Sequence, residues 1–469
     1  MRTFLSGILV LLAVSGALAQ TPNRSQALNS TQQLARDIFA EIIAIPSTES
    51  GVGTTPVAEA IARRMKAAGF ADTDIHVLGP NDKKKNLVVR LRGRAGSTAK
   101  PILLLAHLDV VEAPREQWAT NPFELVEKDG FFYGRGTSDI KDGAAILAAN
   151  MIRWKREGWV PSRDIILALT ADEENGSSNG VDWLIRTNRP LIDADYCLNT
   201  DGGDFQMKDG KPLVATFETA EKWYSDWTLE VHNPGGHSSI PRTDNAIYQL
   251  MAALQKVQAL RFPAQLNDTT REYFRRQSTL ESGQTAADMK AAAEGDARAI
   301  EHISRVPFYN SLMRTTCVAT MLEAGHAPNA LPQVAKANVN CRATPDTTRQ
   351  DIRSALELAI SDTGVSITTD EHRSRTPESP LNNEVMSAMQ RAVDVQWPGV
   401  QIVPFMETGA TDGRHLRTAG IPTYAVSGVF IDEDDVRAHG RDERITVKSF
   451  DDGVEFYDKF VRNVAGTAN

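Results

Sequence analysis

The sequence predicts an α/β fold built on a mixed, largely parallel sheet, with a smaller α+β domain inserted into it. Short apolar runs on consecutive positions, which indicate strands covered on both faces, alternate with amphipathic helices. This rhythm stops near Phe217, gives way to alternating strand patterns and resumes near Thr376. At 469 residues the chain is also long enough for two domains of ordinary size.

The elements of the larger domain follow in order from the amino end. Apolar spacing predicts a first helix from Thr31, as its N-cap, until Pro46 stops it. The remaining helices are predicted at residues 57–68, 143–157, 383–393 and 450–464. The strands are predicted at residues 86–91, 101–105, 164–169, 196–198 and 422–426. Because strands and helices alternate, most of these strands should be parallel.

The inserted segment, residues 217–375, is predicted to form the α+β domain. Trp227, Leu229 and Val231 alternate like a half-exposed strand, and a second strand is predicted at 338–342 with helices at 246–260 and 352–360. Between them, the Ala-rich stretch from Ser282 to Ile300 fits either a surface helix or a mobile excursion. The larger domain is therefore expected to comprise residues 20–216 and 376–469.

Residues 1–19 have the pattern of a secretory signal sequence. Arg2 precedes a short apolar run, and Ala17-Leu18-Ala19 forms a cleavage site. The alternative is an uncleaved membrane anchor, although the run is short for a bilayer span. Cleavage after Ala19 predicts a secreted or periplasmic protein.

Charge and cysteine content narrow the range of partners and chemistries. The formal net charge is −9, which disfavours nucleic acid as a partner. The three cysteines form no C-x-x-C pair, so disulfides should not be the main source of stability. Cys197 and Cys341 lie in apolar, strand-like runs, where we expect buried and inert thiols.

Acidic and imidazole side chains follow three of the predicted strands. His107 comes after the strand at 101–105, Glu173 and Glu174 after the strand at 164–169, and Asp201 after the strand at 196–198. Singly, each has an ordinary explanation as a core histidine, a helix start or a turn residue. Together, at the carboxyl ends of strands in one sheet, they should converge in a ligand crevice and require a cation to neutralise them.

Asp139 and His439 complete a candidate set of metal ligands. Asp139 ends a glycine-rich loop before the helix at 143–157, and His439 lies in the returning C-terminal segment. Two imidazoles and three carboxylates suit Zn2+, with Co2+ or Mn2+ as alternatives. With Asp139 shared, they suffice for two ions about 3.5–4 Å apart. Glu173 can then act as general base, and Asp109 can accept a ring N–H from His107.

The order and spacing of these residues resemble the M20 family of zinc metallopeptidases, which includes carboxypeptidases, dipeptidases and aminoacylases. The resemblance spans about residues 31–464 and is carried by His107-Leu-Asp109, Ser138-Asp139, Glu173-Glu174, Asp201, Gly235-Gly-His237-Ser-Ser-Ile-Pro241 and His439. It implies one zinc ion on His107, Asp139 and Asp201. It implies a second on Asp139, Glu174 and His439, with Glu173 as general base.

The same resemblance implies that the inserted domain is a lid that closes over the site and forms a homodimer. His237 would reach a neighbouring active site and steady the oxyanion, although it also fits a turn with a polar tip. Asn329 and Arg342 would hold the substrate's carboxylate or carbonyl oxygen, and Arg342 also fits a solvated strand residue. The loop with Thr411 and Arg414 would line the specificity pocket. The stretch 263–315 looks inserted and resembles the longer, carboxypeptidase-like branch.

The leading hypothesis is hydrolysis of amide bonds in small peptides or N-acyl amino acids with a free C-terminal carboxylate, by a hydroxide between two zinc ions. An arginine such as Arg342 suits bidentate capture of that carboxylate. A non-catalytic exported solute-binding protein using the same cleft is the alternative, but it would have no use for Glu173 as a proton shuttle. A cysteine hydrolase based on Cys341 would lack a neighbouring base.

Overall fold

The structure is a computed structural model that describes residues 28–369 and 375–466. The predicted signal sequence at residues 1–19 lies outside the described residues. Across the two described ranges, no helix combines the length and apolar character that crossing a bilayer would require.

Nineteen strands are present in the described residues. They are β1 (Ile75–Leu78), β2 (Asn86–Leu91), β3 (Ile102–His107), β4 (Val126–Lys128), β5 (Phe131–Tyr133), β6 (Ile165–Thr170), β7 (Tyr196–Asn199), β8 (Phe205–Lys208), β9 (Lys211–Glu221), β10 (Trp223–His232), β11 (Gly236–His237), β12 (Thr316–Ala324), β13 (Ala330–Leu331), β14 (Val334–Ala343), β15 (Val365–Thr369), β16 (Gln401–Glu407), β17 (Thr423–Ala425), β18 (Phe430–Asp432) and β19 (Arg444–Thr446).

Helices cover the sheets. They are α1 (Ser30–Ile43), α2 (Thr55–Ala67), α3 (Lys141–Arg156), α4 (Gly180–Thr187), α5 (Arg189–Ile192), α6 (Ala246–Ala259), α7 (Asp268–Gln277), α8 (Gly283–Ala293), α9 (Ala297–Ile303), α10 (Pro307–Met313), α11 (Arg349–Ile360), α12 (Asn383–Gln396), α13 (Gly413–Thr418) and α14 (Val447–Ala465).

The large sheet confirms the predicted α/β class. Its strand order is β1-β2-β6-β3-β7-β17-β9-β8-β18, with β16 paired to β9. The four central strands β6, β3, β7 and β17 run parallel, whereas β2 pairs antiparallel with both β1 and β6, and β9 pairs antiparallel with β17 and β8. The carboxyl ends of β6, β3 and β7 therefore lie side by side at one edge.

The central strands read as continuous apolar runs because both faces of the sheet are covered. Along β3, Ile102, Leu104 and Ala106 pack in one core cluster, which includes residues of α1, α3 and α14. Leu103 and Leu105 pack in a second cluster on the opposite face, with residues of α4, α5 and α13. Successive strand residues point to opposite faces, so a fully apolar strand is what a three-layer arrangement requires.

The start of α1 differs from the prediction. Asn29, not Thr31, is the N-cap, and its side chain accepts hydrogen bonds from the backbone N–H groups of Thr31 and Gln32, both at 2.9 Å. The Gln32 side chain accepts in return from the Asn29 N–H at 3.0 Å. This reciprocal capping box needs Gln or Glu three residues after the cap, and Asn29 has that partner.

The inserted domain contains an antiparallel sheet of order β12-β14-β10-β15, with α6 and α11 packed against it. Buried and half-buried residues alternate along β10, as the sequence predicts. The chain passes from the large sheet to the inserted sheet later than residue 217, because β9 continues through Phe217 to Glu221 as part of the large sheet. Only Lys222 separates β9 from β10.

The stretch 263–315 is helical and packs on the large sheet, not on the inserted sheet. Its helices α7–α10 share an apolar cluster with Val214 of β9 and with Val403 and Phe405 of β16. The Ala-rich part, for which the sequence left two interpretations, forms α8 and part of α9. Consequently the chain passes between the two sheets four times: at Lys222, between α6 and α7, between α10 and β12, and between β15 and α12.

Three of these four crossings are joined by polar contacts. Thr344 and Thr347, whose hydroxyls lie 2.9 Å apart, belong to the loop between β14 and α11 and bridge two of the crossings. The Thr315 hydroxyl lies 2.8 Å from that of Thr347, and the Thr344 hydroxyl donates to the side chain of Gln265 at 3.0 Å. The buried Lys222 ammonium donates to the Thr316 hydroxyl at 3.3 Å. The passages between the domains are therefore fastened to one another where they meet.

The cysteines depart in part from the prediction. Cys197 is a free, buried thiol as expected, and burial raises its pKa well above the ordinary value. Cys341, in contrast, forms a disulfide with Cys317, which lies directly opposite it on the neighbouring strand β12. The sequence does not reveal this pairing because the register of β12 against β14 sets it. The disulfide also removes the thiol that a cysteine hydrolase based on Cys341 would need.

Candidate metal centre

The predicted ligands converge at one edge of the large sheet. His107 is the last residue of β3, Glu173 and Glu174 follow β6, and Asp201 follows β7. These three strands are neighbours in the order β6-β3-β7, so their carboxyl ends bring the side chains together. Asp139 precedes α3, and the loop between β18 and β19 supplies His439.

Asp139 lies at the centre of the cluster and presents one oxygen to each histidine. Its Oδ1 is 3.1 Å from Nε2 of His107, and its Oδ2 is 2.8 Å from Nε2 of His439. Nε2 of His439 is also 3.0 Å from Oε2 of Glu174. With bonds of about 2.0–2.2 Å in a tetrahedral site, neighbouring donors lie about 3.3 Å apart, so these donors fit around cations with little movement.

The remaining ligand, Asp201, also lies close to His107. Donor atoms of His107, Asp139 and Glu174 all lie within 4.8 Å of one another, and so do donor atoms of His107, Glu173 and Asp201. The five predicted ligands are thus linked into one cluster. Glu173, predicted as a base, lies within the same range. The set of imidazole and carboxylate donors fits two divalent cations.

His107 is oriented differently from the prediction. Its Nδ1 donates to the backbone carbonyl of Asp109 at 3.0 Å, while the Asp109 carboxylate is 3.8 Å away. Because a carbonyl oxygen can only accept, Nδ1 carries a proton and Nε2 faces Asp139. The Asp109 carboxylate instead accepts from the backbone N–H groups of Glu173 and Glu174, at 3.2 and 3.1 Å. Asp109 therefore supports both sides of the cluster.

Asp172, directly before Glu173 and Glu174, supports the loop that carries Glu173. It is buried and has φ +62°, a left-handed conformation that few residues other than glycine adopt. Its carboxylate accepts from the Lys84 ammonium at 2.8 Å and from the Ser177 hydroxyl at 3.3 Å. Lys84 was not predicted, because nothing in the local sequence links it to a loop nearly ninety residues away.

The loop with Thr411 is braced against the end of β9. Thr411 is buried, and its hydroxyl and backbone N–H donate to the two carboxylate oxygens of Glu221, at 2.6 and 3.1 Å. The next residue, Asp412, accepts from the Thr170 hydroxyl at 2.9 Å at the end of β6. Thr411 is thus engaged inside the protein, and the predicted place of its loop in the wall of a specificity pocket stays a prediction. Arg414 is half-buried, and its Nε donates to His415 at 3.2 Å.

The candidate residues of the inserted domain are not part of the cluster. His237 is exposed, and its ring contacts the Ser239 hydroxyl at 2.7 Å. Asn329 is also exposed, and its carbonyl accepts from the N–H of Ser238 at 3.0 Å. The Arg342 guanidinium lies 4.8 Å from the ring centre of Tyr224. The roles implied for these residues need closure of the domain or a second copy of the chain, and they stay predictions.

Without cations, the cluster holds more negative charge than its surroundings stabilise. Burial raises the pKa of Glu173 well above its ordinary range, and the charge of Asp201 raises it further. Burial likewise raises the pKa of Asp201, although His107 opposes the shift. Burial also raises the pKa of Asp109, to about 6. These carboxyl groups therefore hold a proton more tightly than usual, and bound cations would displace it.

The histidines show the complementary effect. Hydrogen bonds to Asp139 and Glu174 raise the pKa of His439 to about 10, against the opposing effect of burial. For His107, burial lowers the pKa, but the hydrogen bond to Asp139 and the charges of Asp201 and Asp109 outweigh it and leave the pKa well above its ordinary value. In the metal-free protein both rings therefore hold a second proton more tightly than an ordinary histidine does.

The comparisons with known proteins agree with this geometry. The model of peptidase family M20/M25/M40 matches residues 103–463. N-fatty-acyl-amino acid synthase/hydrolase PM20D1 of Bos taurus is 29% identical over 380 residues, covering 78% of this chain and 74% of the relative. Carboxypeptidase S of Saccharomyces cerevisiae is 24% identical over 412 residues, covering 78% and 72%.

Solved structures show the same fold. The M20 family metallo-carboxypeptidase Sso-CP2 from Sulfolobus solfataricus aligns with a TM-score of 0.68 at 16% identity, over 92% of this chain and 99% of that chain. A dinuclear metal binding peptidase of family M20 from Bacillus subtilis aligns with a TM-score of 0.59 at 12% identity, over 93% and 99%.

A strand-end cluster of imidazoles and carboxylates on this α/β framework defines the class of metal-dependent hydrolases. Because the family match covers most of its length, the chain belongs to peptidase family M20/M25/M40. It is accordingly an enzyme of the metallopeptidase and amidohydrolase type, as the sequence predicted. The alternative of a non-catalytic binding protein finds no support among these relatives, which are named as enzymes.

We predict that metal binding releases protons and strengthens as pH rises. A cation must displace the Nε2 proton of His107 and of His439, whose pKa values are raised in the metal-free protein. Affinity for each ion should therefore increase up to about tenfold per pH unit between about pH 6 and about pH 8. Calorimetric titration with Zn2+ in two buffers of different ionisation enthalpy measures the released protons.

His439→Ala is the control for that measurement. It should remove about one of the released protons and weaken one ion, while the Nε2 of His107 still loses its proton. Affinities that do not change with pH would contradict the assignment of the two histidines as ligands.

Proposed function

We propose that this enzyme uses two divalent cations, Zn2+ foremost, to hydrolyse the amide bond of N-acyl amino acids and small peptides that end in a free carboxylate. The main support for this proposal is the arrangement of Asp139, because each of its oxygens faces the Nε2 of a different histidine at 2.8–3.1 Å. Such a carboxylate is suited to join two ions, and the first would be held by His107, Asp139 and Asp201. The second would be held by Asp139, Glu174 and His439.

The reaction divides between the bound ions and the side chains around them. The two cations would supply Lewis-acid polarisation of the amide carbonyl and acidify a water molecule. Glu173 would accept a proton from the attacking water and then donate it to the nitrogen of the leaving amine. Its backbone is held by Asp109, so the carboxylate is presented to the cluster from a fixed main chain. His237 of a second copy would donate to the oxyanion.

The choice of substrate rests on what the relatives' names have in common. An N-acyl amino acid and the C-terminal end of a peptide share an amide bond next to an amino acid with a free carboxylate. Arg342 would supply a cation for that carboxylate, with Asn329 beside the carbonyl oxygen. The Thr411 loop would set the wall of the pocket through Arg414, because Thr411 itself is engaged with Glu221.

We also propose that the protein is exported and that residues 1–19 are removed. The disulfide between Cys317 and Cys341 supports this location, because disulfides persist in oxidising compartments and are rare in the cytosol.

A homodimer through the inserted domain is part of the proposal. Strand β12 is the edge of its sheet, and Val318, Met321 and Leu322 on it are each at least 60% exposed. Tyr248 and Met251 on the adjoining helix α6 are exposed as well. An apolar edge strand of this kind favours pairing with another chain, and a second copy would also bring His237 to a neighbouring site.

Replacing the proposed base should separate metal binding from turnover. Glu173→Ala is expected to retain two Zn2+ per chain and to lower kcat by about 10²- to 10⁴-fold, because the proton acceptor is lost while the predicted ligands remain. Elemental analysis and steady-state kinetics provide the two readouts, and Glu174→Ala, which should lose an ion, is the matched control. A near wild-type rate for Glu173→Ala would rule out its role as base.

The substrate class can be tested with matched pairs of substrates. The Zn2+-loaded protein should release free amino acid from N-acyl amino acids or dipeptides, and conversion of the C-terminal carboxylate to an amide should lower kcat/KM by about 10²-fold or more. Chromatographic detection of the released amine measures both. Equal cleavage of the amides would contradict carboxylate recognition, and no cleavage of any member would contradict the proposed activity.

The dimer can be tested by charging the exposed edge. Met321→Glu on β12 is expected to convert the dimer to a monomer and, if His237 acts in a neighbouring site, to lower kcat as well. Val395→Glu, an exposed apolar position on α12 in the other domain, should leave both unchanged. Sedimentation velocity over a range of concentrations gives the oligomeric state. A wild-type protein that sediments as a monomer throughout would refute the dimer.

A further inference from the structure

Arg135 and Glu443 form a buried ion pair next to the metal cluster. The two residues lie 308 positions apart in the chain, and their side chains are 3% and 0% exposed. Arg135 belongs to the loop that leads to Asp139, and Glu443 follows the turn that contains His439. Neither residue is a metal ligand or a base in the proposed mechanism. Their hydrogen bonds to neighbouring loops indicate why two charges are buried here.

Glu443 holds the loop of Asp139. Its Oε1 accepts from the backbone N–H of Ser138 at 2.7 Å and from the Ser138 hydroxyl at 3.1 Å. Its Oε2 accepts from the backbone N–H of Gly136 at 3.2 Å and pairs with Arg135. The residue immediately before Asp139 is therefore fixed through both its main chain and its side chain.

Arg135 holds the turn of His439. Its guanidinium donates to the carbonyl oxygen of His439 at 3.3 Å and to that of Gly440 at 2.9 Å. His439 has φ +61°, a left-handed conformation that is sparsely populated by residues other than glycine. The guanidinium also lies 5.1 Å from the ring centre of Trp118, which fixes its plane. The pair thus ties the turn of one ligand to the loop of another.

The ligands on the other side of the cluster have separate support. His107 ends β3, a central strand that pairs with β6 on one side and β7 on the other, and its ring is fixed by the Asp109 carbonyl. The backbone N–H of Asp201 donates to the Asn199 side chain at 3.2 Å. Among the described residues, the hydrogen bonds of the Arg135–Glu443 pair reach the Asp139 loop and the His439 turn, and none reaches His107 or Asp201.

We infer that Arg135 and Glu443 are positioning residues that set the affinity of one of the two ions, the one held by Glu174 and His439. This inference rests on the proposed two-metal function. Asp139 is shared by both ions, but only the second ion also depends on His439, whose backbone Arg135 holds. Loss of the pair should therefore weaken the second ion more than the first. Removing a residue that holds a metal ligand in place lowers metal affinity by about 10- to 100-fold.

The test is a titration of the metal-free protein with Zn2+ in competition with a chromophoric chelator, which resolves two binding steps. The His439→Ala variant identifies the step that belongs to the second ion. Arg135→Lys keeps the charge beside Glu443 but loses the planar guanidinium that spans two carbonyls. It is expected to weaken the identified step by about 10- to 100-fold and to change the other by less than about threefold.

Two further variants distinguish a loss of metal binding from a loss of folding. Glu443→Gln removes one charge of a buried pair and can destabilise the protein, whereas the double variant Arg135→Met with Glu443→Leu removes both charges and leaves an apolar contact. Both variants should weaken the second ion more than the first, because only the second ion also depends on His439. Arg36→Met is the matched control, because it breaks the bidentate pair of Arg36 with Asp451 between α1 and α14, away from the ligands.

The outcomes are distinct. Unchanged binding steps, equal weakening of both steps, or the same loss in Arg36→Met would overturn the positioning role. The positioning role is supported if the wild-type protein binds two ions and the variants are weakened mainly in the identified step. A wild-type protein that binds no Zn2+ would overturn the proposed function itself, and with it this inference.

Discussion

The site depends on the concentration of buried negative charge at the carboxyl ends of three adjacent parallel strands. Glu173, Glu174 and Asp201 arrive there because β6, β3 and β7 are neighbours, and the loop before α3 adds Asp139. Burial makes this charge costly, as the raised pKa values of Glu173 and Asp201 show. In the metal-free protein the two histidines, whose pKa values are raised, offset part of this charge, and divalent cations would take over that role.

Much of this could be read from the sequence, because the relevant signals are local. A strand buried on both faces must be apolar at every position, so β3, β6 and β7 are visible as short continuous runs. A polar residue directly after such a run must lie at the sheet edge, which places His107 and Asp201 without knowledge of the rest of the fold. The order of the strands was not needed, because the parallel strands expose the same end to the same edge.

What the sequence did not reveal depends on contacts between distant parts of the chain. The Cys317–Cys341 disulfide follows from the register of β12 on β14, and the Arg135–Glu443 pair joins loops 308 residues apart. Asp109 was correctly predicted to accept the hydrogen bond of His107, but through its carboxylate and not its backbone carbonyl. The sequence cannot separate the two, because both groups belong to the same residue. The docking of the stretch 263–315 on the large sheet was missed since amphipathic helices do not indicate which surface their apolar face covers.

The return of the chain to the large sheet between α6 and β12 limits how the two domains can move. A body attached by two adjoining connections can swing widely about them, but each additional tether removes a degree of freedom. Here four connections attach the inserted domain, and contacts among Gln265, Thr315, Thr344 and Thr347 fasten several of them together. Any opening of the inserted domain would therefore turn about axes near these threonines, and the largest displacement would occur on the side farthest from them.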